Sequence, residues 1–200
     1  MISVEEAIHL VKSHCFPLLK ETTLPIEKSG GYFLSKNIHS PINMPPFRQS
    51  AMDGYALNLH DNLLYNLVGE IKAGDHLQPI LKKGDAVRIF TGAAVPDTAN
   101  AVIMQEKTRI VDRELILENQ IPMHHNIRPI GEQVKKGDLA LAKETKLTPA
   151  AIGYLASLGI THVSVYKKPT IAIITTGNEL IDAAQALSYG KIYEIGRAHV

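Results

Sequence analysis

Two stretches of the chain carry apolar residues at the spacing of a helix. In residues 4–15 these positions share one face, and the capping box Ser3-Val4-Glu5-Glu6 marks the start. In residues 147–159, Thr148 is an N-cap residue, Pro149 suits the first helical position and Gly159 favours a stop. The predicted packing face of this second helix is Ile152, Leu155, Ala156 and Leu158.

The segment between these helices has the pattern of short strands. Runs of apolar and β-branched residues alternate with Gly-Asp turns between residues 55 and 141, which is typical of an all-β module. Shorter extended segments are predicted on both sides of the module. The predicted strands are 24–26, 32–34, part of 34–42, 55–57, 67–71, 83–89, 101–104, a hairpin at 109–117, and 160–165.

A segment pinned by prolines, Pro45 to Leu57, holds an arginine, a serine and an aspartate close together. Pro45-Pro46 excludes a helix, because proline fixes φ and removes a backbone donor. The pair Asp53-Gly54 favours a tight reversal in which Gly54 takes a positive φ. Two interpretations stay open: a rigid loop that presents the Asp53 carboxylate to a metal ion or polar substrate, or an ordinary turn containing Asp.

A second loop, Thr91-Gly92-Ala93-Ala94, directly follows a predicted strand. Its small side chains would let a ligand approach the backbone, and the Thr91 hydroxyl would be free to form a hydrogen bond. The alternative is a tight loop whose small residues only avoid clashes.

A continuous apolar run at residues 170–174 has the composition of a strand buried in a parallel sheet. The polar turn that follows it contains Thr176, Gly177 and Glu179. Because ligands of open α/β sheets bind beyond the carboxyl ends of strands, this turn is a candidate site. The alternative for Glu179 is a carboxylate that complements the dipole of a following helix.

Composition narrows the class of protein. The 200-residue chain is 45% hydrophobic with a mean hydropathy of -0.01, which is ordinary for a soluble globular protein. Its 21 basic and 20 acidic residues are scattered, so nothing indicates a nucleic-acid-binding surface. Cys15 has no partner for an internal disulfide, no apolar run suits a membrane span, and the first residues do not resemble a signal peptide. We expect a cytoplasmic protein that binds neither nucleic acid nor membrane.

Five segments resemble, in the same order, motifs of the MoeA and gephyrin E-domain family of molybdopterin molybdenumtransferases. They are residues 45–57, 89–106, 126–141, 170–180 and 190–194. The third departs from the family at Gln133, where many members have an acid, so a carboxylate function there would depend on Glu132. Residues 195–200 resemble no part of the family, and we interpret them as a non-native tail.

The resemblance implies an α+β multidomain fragment. A discontinuous α/β N-terminal domain, 1–45 and 142–168, would enclose an inserted all-β domain, 46–141. Residues 169–194 would hold the first strand of a truncated α/β molybdopterin-binding domain. We therefore expect the native chain to continue past Glu194 and the 200-residue chain alone to be inactive.

The resemblance also implies an activity: insertion of molybdenum from molybdate into adenylylated molybdopterin, with Mg2+ as cofactor and release of AMP. The family works as a homodimer, and molybdopterin adenylyltransferase is the expected upstream partner. Arg48 would neutralise phosphate. The implied site residues are Asp53, Thr91, Glu132 and Glu179 for catalysis, Asp53 and Glu179 for the metal, and Arg48, Ser50, Thr176 and Gly177 for substrate binding.

Two non-catalytic alternatives stay open. The Lys-Gly-Asp turns superficially resemble biotinyl and lipoyl carrier domains, but the Met-Lys-Met or Asp-Lys-Ala string of those domains is absent. A scaffold role like that of gephyrin uses the same fold, and the fold alone does not separate it from catalysis.

Overall fold

The computed structural model describes residues 2–16, 19–76, 78–172 and 174–195. Within these ranges the chain is mixed α+β, mostly β, with two α-helices. It divides into two compact units: residues 21–165, and the described residues up to Lys20 together with those from Tyr166 onward. None of the helices in the described ranges is both long enough and apolar enough to cross a membrane.

The larger unit contains one α-helix, α2 (Pro149–Ser157), and most of the strands. Its strands are β1 (Glu21–Pro25), β2 (Ile38–His39), β3 (Gln49–Ser50), β4 (Gly54–Leu57), β5 (Leu64–Ile71), β6 (Asp85–Ile89), β7 (Ala101–Met104), β8 (Thr108–Val111), β9 (Glu114–Leu117), β10 (Ile127–Arg128), β11 (Leu139–Leu141) and β12 (His162–Tyr166). The strands predicted at 55–57, 67–71, 83–89, 101–104 and the 109–117 hairpin are confirmed.

A six-stranded sheet in the order β7-β4-β6-β5-β9-β8 forms the centre of this unit. Its residues alternate between two apolar cores, one on each face. Along β4, Ala56 packs into one core, whereas Tyr55 and Leu57 pack into the other. All four residues of β4 are buried, since β6 and β7 pair with it on either side. Pairing on both edges and burial therefore fix the register of β4 in the sheet.

Gly54 begins β4 and does not adopt the positive φ predicted for it. It pairs with Ile89 of β6 and Met104 of β7, and a Cβ on it would overlap the carbonyl oxygen of Ile103. The prediction of a reversal at Asp53-Gly54 is wrong, because glycine is needed here for close approach of strand backbones.

A separate core surrounds α2. Thr148 caps the helix by accepting a hydrogen bond from the Ala151 N–H (3.3 Å), and Gly159 ends it with a φ of +76°. Leu155 and Leu158 are buried as predicted, but Ala156 is exposed because it lies on the outer side of the helix. The buried members of this core are Ile26, Leu34, Leu147, Leu155, Val163 and Val165.

The residues of that core come from chain segments that precede and follow the six-stranded sheet in the sequence. Small ladders, β2 with β11 and β1 with β12, join the same two regions. The domain boundaries at 45/46 and 141/142 stay a prediction.

The smaller unit contains α1 (Val4–His14), β13 (Leu180–Ile181) and β14 (Ile192–Tyr193). The first helix begins as predicted, with the Ser3 hydroxyl accepting from the Glu6 N–H (3.1 Å). No residue of α1 is buried, so its predicted apolar face is exposed in the described chain. The two strands form a parallel pair, with Leu180 opposite Ile192.

The apolar run at 170–174 is not a strand in its described residues, and the strand predicted there is wrong. Ile171 and Ile174 are 69% and 86% exposed, and Ile173 lies outside the described residues. A buried parallel strand needs neighbouring strands and a covering layer, and no described strand pairs with this run. Of the tail interpreted as non-native, residues 196–200 also lie outside the described residues.

We predict that Gly54→Ala lowers the free energy of unfolding by about 3 kcal/mol, because the new methyl group must displace the backbone of β7. Chemical denaturation measures the change. Gly153→Ala is the matched control: Gly153 lies in α2 with open space around it, so the same substitution should stabilise by up to about 1 kcal/mol. Equal effects of the two substitutions would contradict the close contact at Gly54.

Candidate active site

Three loops that are distant in sequence meet in the larger unit: the Asp53 loop (residues 45–53), the Thr91 loop (residues 91–94) and the Glu132 loop (residues 129–134). The Ser50 N–H donates to the Ala93 carbonyl (3.0 Å), and the Gly92 N–H donates to the Ser50 carbonyl (2.9 Å). The Gly131 N–H donates to the Pro45 carbonyl (2.9 Å), and β3 pairs with β10. The three corresponding motifs therefore form one hydrogen-bonded assembly.

The Asp53 carboxylate and Thr91 are in direct contact. Asp53 Oδ1 accepts one hydrogen bond from the Thr91 N–H and another from its hydroxyl, each 2.7 Å long. The sheet register explains the contact: Gly54 pairs with Ile89, so the residue before β4 lies beside the loop that follows β6. Asp53 Oδ2 has no hydrogen-bond partner among the described residues and is exposed to ligands.

Asp53 is held in its ionised form. The backbone hydrogen bond from Thr91, followed by that from its hydroxyl, lowers the pKa of Asp53 below its ordinary value of 3.8. Partial desolvation opposes this shift, and the positive charge of Arg88 adds to it. At neutral pH the site therefore presents a negatively charged, solvent-facing oxygen.

Arg88 is a site residue that the sequence analysis missed. Its guanidinium donates to the Gly54 carbonyl (3.2 Å) and to Gln105 Oε1 (2.6 Å), and lies 5.0 Å from the ring centroids of both Tyr55 and Phe90. These contacts fix a cation beside Asp53. The available signal was an arginine inside the otherwise apolar strand run at 86–89, directly before the Thr91 loop.

Arg48 and Ser50 both contact backbone carbonyls. Arg48 donates to the carbonyls of Ala99 (3.0 Å) and Pro96, and its side chain is only 27% exposed. The buried Ser50 hydroxyl donates to the Met52 carbonyl (2.7 Å). These contacts hold both side chains against the backbone and leave Arg48 with further N–H donors. Phosphate binding by Arg48 and substrate contact by Ser50 stay predictions.

Glu132 lies in an exposed turn of the Glu132 loop. Gly131 takes a φ of +72°, and the Gln133 N–H donates to the Met44 carbonyl (2.9 Å), which anchors the turn beside the Asp53 loop. The Glu132 carboxylate has no hydrogen bond or ion pair with the described residues, so it is available to a ligand.

Thr176, Gly177 and Glu179 lie in the smaller unit, in an exposed turn before β13. No helix begins at Glu179, so the interpretation of a helix-dipole partner is wrong. The Glu179 carboxylate folds against Gly177, where a Cβ would lie 2.5 Å from its Oε1, and Gly177 has a φ of +141°. Only glycine fits this turn without displacing the carboxylate.

No group of three or more His, Cys, Asp or Glu side chains in the described residues could hold a metal ion by itself. Asp53 nonetheless offers one free, ionised oxygen. Mg2+ is commonly held by one or two carboxylates together with substrate phosphates and water, and a single acid of this kind fits that mode.

The sheet and its three converging loops define a class: a β-rich domain that presents a fixed, ionised carboxylate where the loops meet. The chain belongs to the MoeA N-terminal region (domain I and II) family, whose sequence profile matches residues 2–159.

Relatives with curated names agree with this membership. The chain is 39% identical over 178 residues to the molybdopterin molybdenumtransferase of Haemophilus influenzae, covering 87% of this chain and 44% of that protein. It is 33% identical over 200 residues to the enzyme of the same name from Staphylococcus epidermidis, covering 96% of this chain and 47% of that protein. The chain thus spans about half the length of these curated relatives.

Solved structures show the same fold. A molybdopterin biosynthesis MoeA protein from Pyrococcus horikoshii matches with a TM-score of 0.81 and 30% identity, covering 95% of this chain and 52% of that chain. A second structure from that organism matches with a TM-score of 0.75 and 32% identity, covering 100% of this chain and 53% of that chain.

We predict that Thr91→Val raises the pKa of Asp53, whereas Thr91→Ser leaves it low because serine keeps the hydroxyl donor. A carboxyl carbon NMR titration measures both. Since the folded pKa is depressed, Asp53 stabilises the fold above pH 3.8, and this contribution disappears as the pH falls through the lower folded value. In Thr91→Val the unfolding midpoint should therefore depend less on pH in the acid range. An identical Asp53 pKa in the two variants would contradict a role for the hydrogen bond from the Thr91 hydroxyl.

Proposed function

We propose that this chain supplies part of the active site of a molybdopterin molybdenumtransferase. The proposed reaction transfers molybdenum from molybdate to adenylylated molybdopterin and releases AMP and molybdenum cofactor. One observation carries the proposal: the Asp53 carboxylate is held ionised by Thr91, with one oxygen free, in a chain of this family. Family membership favours this function over the carrier-domain alternative.

The proposed role of Asp53 is to bind Mg2+ through Oδ2 while Thr91 fixes the carboxylate by its two hydrogen bonds. When bound, Mg2+ supplies positive charge that neutralises phosphate oxygens of the adenylate. Arg88 keeps the start of β4 in place through the Gly54 carbonyl, so the direction of the Asp53 carboxylate stays constant.

Glu132 and Glu179 are proposed as further acids of the same reaction, and Thr176 and Gly177 as substrate-binding residues. Gln133 stands where many family members have an acid, and its amide cannot bind Mg2+ as strongly as a carboxylate. The adjacent Glu132 is therefore the candidate for that role. Arg48 and Ser50 are also proposed as substrate-binding residues, and their backbone contacts support the Asp53 loop. The homodimer, the discontinuous domain arrangement, the cytoplasmic location and molybdopterin adenylyltransferase as the upstream partner are part of the same proposal.

We predict that Asp53→Asn in the full-length protein lowers Mg2+-dependent cofactor formation by about 100-fold or more. Removing a residue that only orients a metal ligand costs about 10- to 100-fold, and loss of the ligand itself should cost at least as much. Asparagine keeps the acceptor for Thr91, so the fold should persist while the charge is lost. The measurement is molybdate-dependent formation of molybdenum cofactor from adenylylated molybdopterin.

Asp61→Asn is the matched control, because Asp61 is exposed and lies beyond the opposite end of β4. It makes the same chemical change and should leave the rate unchanged. Equal rates for the two variants would sink the role proposed for Asp53.

We also predict that the 200-residue chain alone forms no molybdenum cofactor, whereas the full-length protein does. The reason is that the named relatives are about twice as long as the chain they match. Molybdate-dependent cofactor formation by the isolated 200 residues would overturn this prediction.

A further inference from the structure

The side chain of Gln105 completes a closed ring of hydrogen bonds next to Asp53. Its Oε1 accepts from one N–H of Arg88 (2.6 Å), and another N–H of Arg88 donates to the Gly54 carbonyl (3.2 Å). The backbone N–H of Gln105 donates to the Asp53 carbonyl (3.1 Å). Two consecutive carbonyls, those of Asp53 and Gly54, are thus held by two groups that Gln105 itself joins.

The backbone of Gln105 is fixed independently of its side chain. The residue begins the short helical turn Gln105–Lys107, which directly follows β7. Its carbonyl accepts from the Thr108 hydroxyl (2.8 Å), while its N–H is used by Asp53. The side chain therefore leaves a defined backbone position, and the amide reaches Arg88 from there.

Gln105 determines how the guanidinium of Arg88 is turned. The ring centroids of Tyr55 and Phe90 each lie 5.0 Å from it, and such contacts hold the charge without selecting an acceptor. In the part of the chain that the structure describes, Gln105 Oε1 is the only side-chain atom that accepts a hydrogen bond from Arg88. It is also the closer acceptor, since the 3.2 Å contact with Gly54 lies at the long end of the usual range.

The contact matters for direction more than for stability. Gln105 is exposed, and so is its second partner, Glu106 (3.2 Å), so water competes for both contacts and their net contribution to folding is small. The carbonyl that Arg88 binds, however, belongs to the residue next to Asp53. A binding site tolerates displacements of only about 0.5 Å in its ligands, so a shift of this peptide would affect the carboxylate.

We propose that Gln105 is a positioning residue: by orienting Arg88, it fixes the peptide between Asp53 and Gly54 and so directs the Asp53 carboxylate towards its cation. The inference rests on the proposed function, because it assumes that Asp53 binds Mg2+. No contact between Gln105 and the metal ion or the substrate is required.

The test compares two substitutions of similar size in the full-length protein. Gln105→Glu keeps an oxygen acceptor for Arg88, whereas Gln105→Met removes it. Both lose the donor to Glu106 and keep the backbone bond to Asp53, so the comparison isolates the contact with Arg88. Gln120→Met is the control, because Gln120 is exposed and makes no hydrogen bond with Arg88 or Asp53.

The first measurement is deuterium exchange of the Thr91 amide, which needs no turnover. The Thr91 N–H donates to Asp53 Oδ1 (2.7 Å), so its exchange rate reports whether the carboxylate keeps its position. Exchange should be about fivefold faster in Gln105→Met, the scale of one lost hydrogen bond, and unchanged in Gln105→Glu and Gln120→Met. Equal rates in Gln105→Met and the unsubstituted protein would overturn the proposal.

The second measurement is molybdate-dependent cofactor formation across a range of Mg2+ concentrations. Gln105→Met should raise the half-saturating Mg2+ concentration about tenfold with little change in the rate at saturating Mg2+, because the residue orients a metal ligand. Gln105→Glu should keep the unsubstituted value. A purely structural effect would instead lower the rate at every Mg2+ concentration, and that result would count against the proposal.

The two measurements separate this proposal from the proposed function. Faster Thr91 exchange in Gln105→Met, with no cofactor formation by the unsubstituted protein, would reject the reaction alone. Cofactor formation with the same half-saturating Mg2+ concentration in Gln105→Met and Gln120→Met would reject the positioning role alone. If Gln105→Glu behaved like Gln105→Met, the effect would belong to the contact with Glu106, and the role through Arg88 would be wrong.

Discussion

The candidate site depends on how closely β7 approaches β4 at Gly54. The glycine allows the backbone of Ile103 and Met104 to lie against the first residue of β4, and this contact fixes where the preceding residue, Asp53, leaves the sheet. The Gln105 N–H then donates to the Asp53 carbonyl (3.1 Å), which ties the loop to the end of β7. A backbone contact between strands thus sets the direction of a carboxylate.

Electrostatics and geometry reinforce each other around that contact. Arg88 reaches across from β6 to the Gly54 carbonyl and to Gln105, so the same guanidinium braces β4, β6 and the end of β7. Its charge also favours the ionised form of Asp53. A residue that holds the strands together therefore also keeps the neighbouring acid charged, and the two effects are lost together if the guanidinium is removed.

Local features of the fold could be predicted from the sequence, whereas contacts across the sheet could not. The caps of α2 at Thr148 and Gly159 depend on neighbouring residues and were predicted; so was the hairpin whose turn at Asp112 has a φ of +57°. The Asp53–Thr91 contact depends on the register of β4 against β6, which no local pattern encodes. The carbonyl partners of Arg48 lie about 50 residues away in the chain, so no local pattern could predict these contacts. Residues 170–174 have strand composition without a strand partner, and composition alone does not supply one.

The exposure of Asp53 limits what it can do alone. A single carboxylate facing water gains little from a cation, because the charges are screened and Mg2+ gives up its water reluctantly. Under the proposed function, the phosphate of the substrate must therefore provide the remaining ligands, and metal and substrate should bind cooperatively. The cation, the substrate phosphate and the carboxylate would then form one assembly that the acid could not form alone.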